Sequence, residues 1–175
     1  GTVLAGVTNP VTGGVEYYDQ SYIDADLSLL RASCAIPYMF PAIPFNGGHY
    51  YDGGIADPIP VRRALTDGHK KNLIIMTREP GYHKTSDRAT ELSTRAMHRK
   101  YPRLAGVMRD RHLIYNGLSD MVDRLESEGS AVVLRPSKEV NVSRLEKDIP
   151  RLEALYQAGY RDAGQKMEAI RALFM

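Results

Sequence analysis

The chain has one cysteine, Cys34, so no internal disulfide can staple it, which fits a reducing compartment. No apolar run approaches the ~20 residues that a membrane-spanning helix needs. A net charge of only +2 gives no sign of a dedicated nucleic-acid partner. Internal repeats and low-complexity segments are also missing, and Gly1 does not open a secretory-signal pattern. Three further absences concern chemistry. His49, His69 and Cys34 are not spaced as metal ligands. Gly13-Gly14 and Gly47-Gly48 lack the Lys-Ser/Thr that completes a phosphate loop. The Gly-x-Ser-x-Gly run that presents a nucleophilic serine on a tight turn occurs nowhere in the 175 residues.

What is present suits a single globular domain with a real core, at 43% hydrophobic and 25% charged residues. Thr2–Thr8 reads as a buried strand that starts at once. Asn9–Gly14 is a turn and Val15–Tyr18 a returning strand, so residues 2–18 form an expected hairpin. A bare hydrophobic strand at a chain end is an aggregation hazard. The expectation is therefore that upstream sequence, or another chain, lies beside Thr2–Thr8. Asp24, Asp26 or Ser28 can cap a helix over Leu27–Ser33. Pro37, Pro41 and Pro44 then force an extended path to the turn at Asn46-Gly47-Gly48. His49–Tyr51 is a short strand that delivers Asp52. Pro60 opens a helix that Asp67-Gly68 closes, and Asn72–Thr77 is an apolar run of strand length. Strand, helix, strand in this order predicts a βαβ unit and an α/β fold with a partly parallel sheet.

Gly81–His112 carries eight basic residues (Lys84, Arg88, Arg95, Arg99, Lys100, Arg103, Arg109 and Arg111) against Asp87, Glu91 and Asp110, a local surplus of five. Such a segment can attract anionic lipid headgroups, at roughly 1 kcal/mol per basic residue near a charged surface. The alternative is a solvated, partly helical excursion whose arginines stay in water. From His112 a helix is expected with Leu113, Gly117, Leu118, Met121, Val122 and Leu125 on one stripe. The strand Ala131–Leu134 follows. Leu145, Ile149, Leu152, Tyr156, Tyr160, Ala163, Met167, Ile170 and Phe174 then recur at helical spacing, which predicts core packing, with Pro150 dividing a short helix from a long one.

The chemistry concentrates at Asp52-Gly-Gly54. An acid fixed by a strand, beside two glycines free to take φ > 0 or to let a ligand approach, is a candidate general base. Apolar residues from Ala35 to Phe45 would restrict water around it. The plainer alternative is a turn aspartate that bonds nearby backbone amides. Ser33 with Asp52 and His49 makes a poor catalytic set, because Ser33 lacks the glycine-flanked turn. Cys34 reads as a small buried residue.

Several elements in order make the chain resemble the C-terminal half of the patatin-like phospholipase family, bacterial type. Ala32-Ser-Cys-Ala-Ile-Pro37 resembles the family's Ala-Ser-x-Ala-x-Pro signature, with Phe40-Pro41 where a second proline is expected. Asp52-Gly-Gly54 resembles the acid motif, and Asp57-Pro-Ile-Pro60 the Asp-Asn-x-Pro, with Pro58 in place of Asn. Ala64, Gly68 and Leu73–Thr77 follow at the family's spacing, and Tyr156-Gln-Ala-Gly-Tyr160 is similar to a late Tyr-x-x-Gly-Tyr. The likeness is strong over residues 1–78, vague over 80–140 and moderate thereafter. The domain would run from the motif-bearing core at 1–78 through a basic variable segment at 79–112 to helices with one short strand at 113–175.

The resemblance implies an incomplete three-layer α/β/α fold with a largely parallel sheet. It implies a serine acyl hydrolase of phospholipid or other lipid esters, working through a Ser-Asp dyad without cofactor. Asp52 would be the base, Gly53 and Gly54 would shape its turn, and Ser33 would be structural. The serine and the glycine-rich oxyanion loop would lie upstream, leaving this chain alone inactive. The implied setting is cytoplasmic, with peripheral contact to an anionic membrane as an option. The rival expectation is a non-catalytic lipid- or protein-binding module on the same scaffold. A third is a cleaved enzyme whose N-terminal chain supplies the serine.

Overall fold

A computed structural model describes residues 1–86, 88–139, 142–143 and 146–175. Its described residues form two compact units: Gly1–Pro60 with Lys84–Gly117, and Val61–His83 with Leu118–Met175.

The first unit is built on an antiparallel sheet. β1 (Leu4–Thr8) and β2 (Val15–Asp19) are the expected hairpin, paired from Leu4↔Asp19 to Thr8↔Val15. β3 (Ile43–Phe45) and β4 (Gly48–Asp52) form a second hairpin, and the order is β2-β1-β4-β3. The turn between them places Asn46 at φ 43° and Gly47 at φ 74°, the left-handed pair that a two-residue hairpin turn demands. Pro44 cannot donate to a ladder, and it sits on β3, an edge strand. β1 pairs along its length with β2, but with β4 only at Val7↔Asp52 and Thr8↔Tyr51. Across that short contact β4 ends against the middle of the sheet.

α1 (Ser28–Ser33) follows Leu27, which holds the cap position at φ 54° with no side-chain cap bond, so none of Asp24, Asp26 and Ser28 is the cap. The Asp24 side chain accepts the Ser28 amide at 2.9 Å from four residues upstream. Its Leu29 and Ala32 are buried with Val7, Ile43, Phe45, Tyr51 and Ile55 in one apolar cluster. Leu104 and Met108 of α4 (Pro102–Ser127) complete this core. α4 begins ten residues before the expected start at His112, and α3 (Arg88–His98) precedes it, so the basic segment is largely helical.

The second unit holds α2 (Val61–Thr66), closed at Gly68 with φ 87°, and β5 (Asn72–Ile75) pairing in parallel with β6 (Ala131–Leu134). The anticipated βαβ joining β4 to β5 is not formed. β4 belongs to the antiparallel sheet, and the parallel pair is β5–β6, so the larger sheet is not the largely parallel one expected. The cause is local: β4 is committed on both edges, to β1 and to β3, which leaves no edge for β5.

α5 (Ile149–Phe174) packs along β6. Pro150 starts this helix and does not divide it, since a proline in the first turn has no amide bond to lose. Leu145, where the expected short helix begins, lies outside the described residues. The predicted core stripe is mostly in solvent, with Ile149, Tyr156, Tyr160 and Phe174 all more than half exposed. Leu155 and Ala158, on the adjoining face, are half-buried and Leu173 is buried. A two-stranded sheet can cover only one face of a 26-residue helix.

Candidate functional site

The backbone of Asp52 is hydrogen-bonded through both its amide and its carbonyl. The Asp52 amide donates to the Ala35 carbonyl at 2.9 Å, which ties it to the Ala-Ser-x-Ala-x-Pro run. Its carbonyl accepts the Thr8 hydroxyl at 2.8 Å, and Thr8 is wholly buried at the end of β1. The strand and the segment after α1 therefore fix the backbone of Asp52 from opposite sides.

The side chain is held by the turn that follows. Asp52 caps the 3-10 turn Gly53–Ile55, with Oδ1 accepting the Gly54 amide at 2.8 Å. Oδ2 accepts no hydrogen bond from a described residue, and the side chain is half-buried between Tyr51 and Gly53, which are buried. One carboxylate oxygen thus orients the group.

Gly53 and Gly54 are needed for closeness, not for φ > 0, because neither takes a left-handed conformation. A Cβ on Gly53 would lie 2.3 Å from the Gly6 carbonyl oxygen of β1, against rigid backbone. One on Gly54 would meet Asp52 Oδ1 at 3.2 Å and Arg111 Nη2 at 3.9 Å. The same Gly6 carbonyl accepts the Ser33 hydroxyl at 2.8 Å. The signature serine therefore satisfies an oxygen that the close packing of Gly53 would shield from water. Ser33 bonds neither Asp52 nor His49, so the three do not form a catalytic set. Cys34 is exposed, not buried as expected, because it follows the last residue of α1 and faces away from the cluster holding Ala32 and Ala35.

Two partners of the site were not legible in the sequence. Thr8 has a weak signal, a hydroxyl residue ending an apolar strand. Arg111, on α4, donates from Nε to the Gly54 carbonyl at 2.8 Å, and no spacing rule links positions 57 residues apart. Further along, the Tyr17 hydroxyl donates to Asp57 Oδ2 at 2.5 Å, securing the chain just before Pro58.

Behind the sheet, Glu16 accepts hydrogen bonds from Tyr18, Asn9 and Tyr50. Burial alone pushes the Glu16 carboxyl up, but these bonds prevail and hold it below its ordinary value. Burial likewise pushes the Tyr50 phenol up, aided by Tyr18 and Glu16.

The apolar run expected to shield the site is split. Ala35, Ile43 and Phe45 are buried, while Tyr38, Met39 and Phe40 are about half exposed at a tip where Tyr38 takes φ 72°. A cavity of about 770 Å³ lies in the second unit, beside the carboxyl ends of β5 and β6, and holds none of the predicted site residues. No metal-holding cluster occurs among the described residues, and none of their helices is long and apolar enough to cross a membrane.

Comparison with known proteins finds two separate matching stretches, and neither coincides with one compact unit. Residues 101–175 match a domain of unknown function (DUF6363). The uncharacterized protein YjjU of Escherichia coli (strain K12) is 25% identical over 134 residues, which are 76% of this chain and 38% of that protein. The chain thus spans well under half the length of this relative. Residues 7–65, about a third of the chain and including Asp52, Gly53 and Gly54, match the patatin-like phospholipase family.

Proposed function

We propose that this chain is the acid-bearing part of a patatin-like serine hydrolase that cleaves phospholipid or other lipid esters. The observation that carries the reading is Asp52 itself. Within a patatin-like stretch, its backbone is bonded at both ends, one carboxylate oxygen is used for orientation, and the other is open. That is what a base without an intervening histidine requires.

In this mechanism a serine upstream of Gly1 attacks the ester carbonyl while Asp52 Oδ2 takes its proton. Collapse of the tetrahedral intermediate expels the alcohol, which receives that proton from Asp52. Water then attacks the acyl-serine, Asp52 again accepting a proton and returning it to the serine. Oxyanion donors would come from the upstream glycine-rich loop, completing the three-layer fold of which this chain holds the later strands and helices. No metal or cofactor enters these steps.

A lipid surface is the proposed setting. Tyr38 to Phe40 present apolar surface at a tip, and the Tyr38 hydroxyl reaches the backbone of Met97, directly before the exposed His98, Arg99 and Lys100. Apolar tip plus basic run fits peripheral contact with anionic headgroups.

One observation favours the rival reading of a non-catalytic lipid- or protein-binding module: the bond from Gly54 to Asp52 Oδ1 is also what a purely structural turn aspartate makes. Turnover of p-nitrophenyl esters separates the two. The protein with its upstream sequence is expected to hydrolyse them and residues 1–175 alone to be inert. Inactivity of both would favour the binding module, and turnover by residues 1–175 alone would overturn the missing-serine account.

A further inference from the structure

The patatin-like match ends at residue 65 and the match to the domain of unknown function begins at residue 101, yet the two are joined at the acid turn. We infer that Arg111, from the second stretch, is a positioning residue for Asp52. This rests on the proposed role of Asp52 as base.

After Asp52 the chain turns through Gly53–Ile55, and the Gly53 carbonyl accepts the amides of Ala56 and Asp57 at 3.2 and 2.9 Å. The Gly54 carbonyl has no such return amide. It accepts Arg111 Nε at 2.8 Å. Gly54 is also the residue whose amide orients Asp52, so one peptide segment links the two side chains: Asp52 holds its N–H and Arg111 its C=O. Arg111 Nη2 and Asp52 Oδ1 approach the same side of Gly54, where a Cβ would touch both. A glycine pair free of side chains is intrinsically loose, and the charge-assisted bond from Arg111 restricts it.

Arg111 is itself well placed to do this. α4 is fastened to the same unit by Leu104 and Met108, both buried in the core. It is fastened again by Asn116, whose side chain accepts the Lys84 amide at 2.8 Å and donates to the Lys84 carbonyl at 3.0 Å. At its start, the Arg103 carbonyl lies 3.2 Å from where a Cβ on Gly13 would stand, so the β1–β2 turn packs on α4. α4 is thus a brace across the patatin-like stretch, and Arg111 is the point where it reaches the acid turn.

The test uses the protein with its upstream sequence and compares Arg111→Ala with Asp52→Asn. Arg111→Ala is expected to lower kcat for a p-nitrophenyl ester about 10- to 100-fold with KM little changed, the size of effect that follows a small misplacement of a catalytic group. Guanidinium ion at millimolar concentration should restore part of the loss, which a general weakening of the fold would not permit. Arg111→Lys should recover little, since a lysine ammonium lacks the planar fork that meets the carbonyl from this direction. Unchanged kcat in Arg111→Ala, while Asp52→Asn is inactive, overturns the inference and leaves the base in place. Full activity in Asp52→Asn overturns the base assignment instead. A second readout needs no turnover: in residues 1–175, amide exchange of the peptide covering 52–57 should quicken about 10-fold in Arg111→Ala while β1 and β2 stay protected. Equal exchange there would overturn the positioning role.

Discussion

At the scale of single residues, the acid turn is specified by contacts that tolerate almost no substitution. Gly53→Ala would press a methyl group onto the Gly6 carbonyl, and neither backbone can yield without breaking the Val7↔Asp52 pair. Overpacking of this kind costs about 1–3 kcal/mol, occasionally more. Urea unfolding of Gly53→Ala should show at least that loss, and a midpoint equal to the parent's would refute the close-approach argument. Glu16 supplies a pH-dependent term. Its carboxyl is held below the ordinary 4.5, so its contribution to stability is full above that value and fades as pH falls through the lowered folded value. Thermal melts should therefore show Glu16→Gln losing less stability than the parent between pH 6 and pH 3. The turn after Asp52 was legible in the sequence because an acid before paired glycines is a local pattern. The reason for those glycines was not, because it depends on β1 lying beneath Gly53.

At the scale of elements, hairpins and helix ends were the readable parts. The β1–β2 turn, the stop at Gly68 and the strand Ala131–Leu134 all follow from residues adjacent in sequence. Pairing between distant strands did not follow. Expecting β4 and β5 in one sheet used the order of elements, whereas β4 took β1 and β3 as partners. The stripe on α5 failed for a related reason: helical spacing tells which residues share a face, and only the neighbours decide which face is covered. α4 is the element on which most depends. Leu104 is fully buried in the core of the first unit, and Leu104→Ala should cost about 2–5 kcal/mol, measured by chemical denaturation. A loss under 1 kcal/mol would mean that α4 does not brace that core.

At the scale of the whole molecule, the chain carries a stretch matching the patatin-like phospholipase family, a helical region matching a domain of unknown function, and no Gly-x-Ser-x-Gly run. Large apolar surface on α5 and at Tyr38–Phe40 is exposed in these 175 residues. For the tip, lipid contact predicts that vesicles containing anionic phospholipid retain the protein at low salt, and that Phe40→Asp releases it. Retention unaffected by both salt and Phe40→Asp would count against that surface. The base assignment is tested most directly by one substitution, Asp52→Asn, in the protein with its upstream sequence. Asparagine keeps the shape and can still accept the Gly54 amide, but it cannot take a proton. Ester hydrolysis is expected to fall by about 10²–10⁴, the usual worth of a positioned proton transfer, with the unfolding midpoint unchanged. Hydrolysis at the parent's rate would contradict the account.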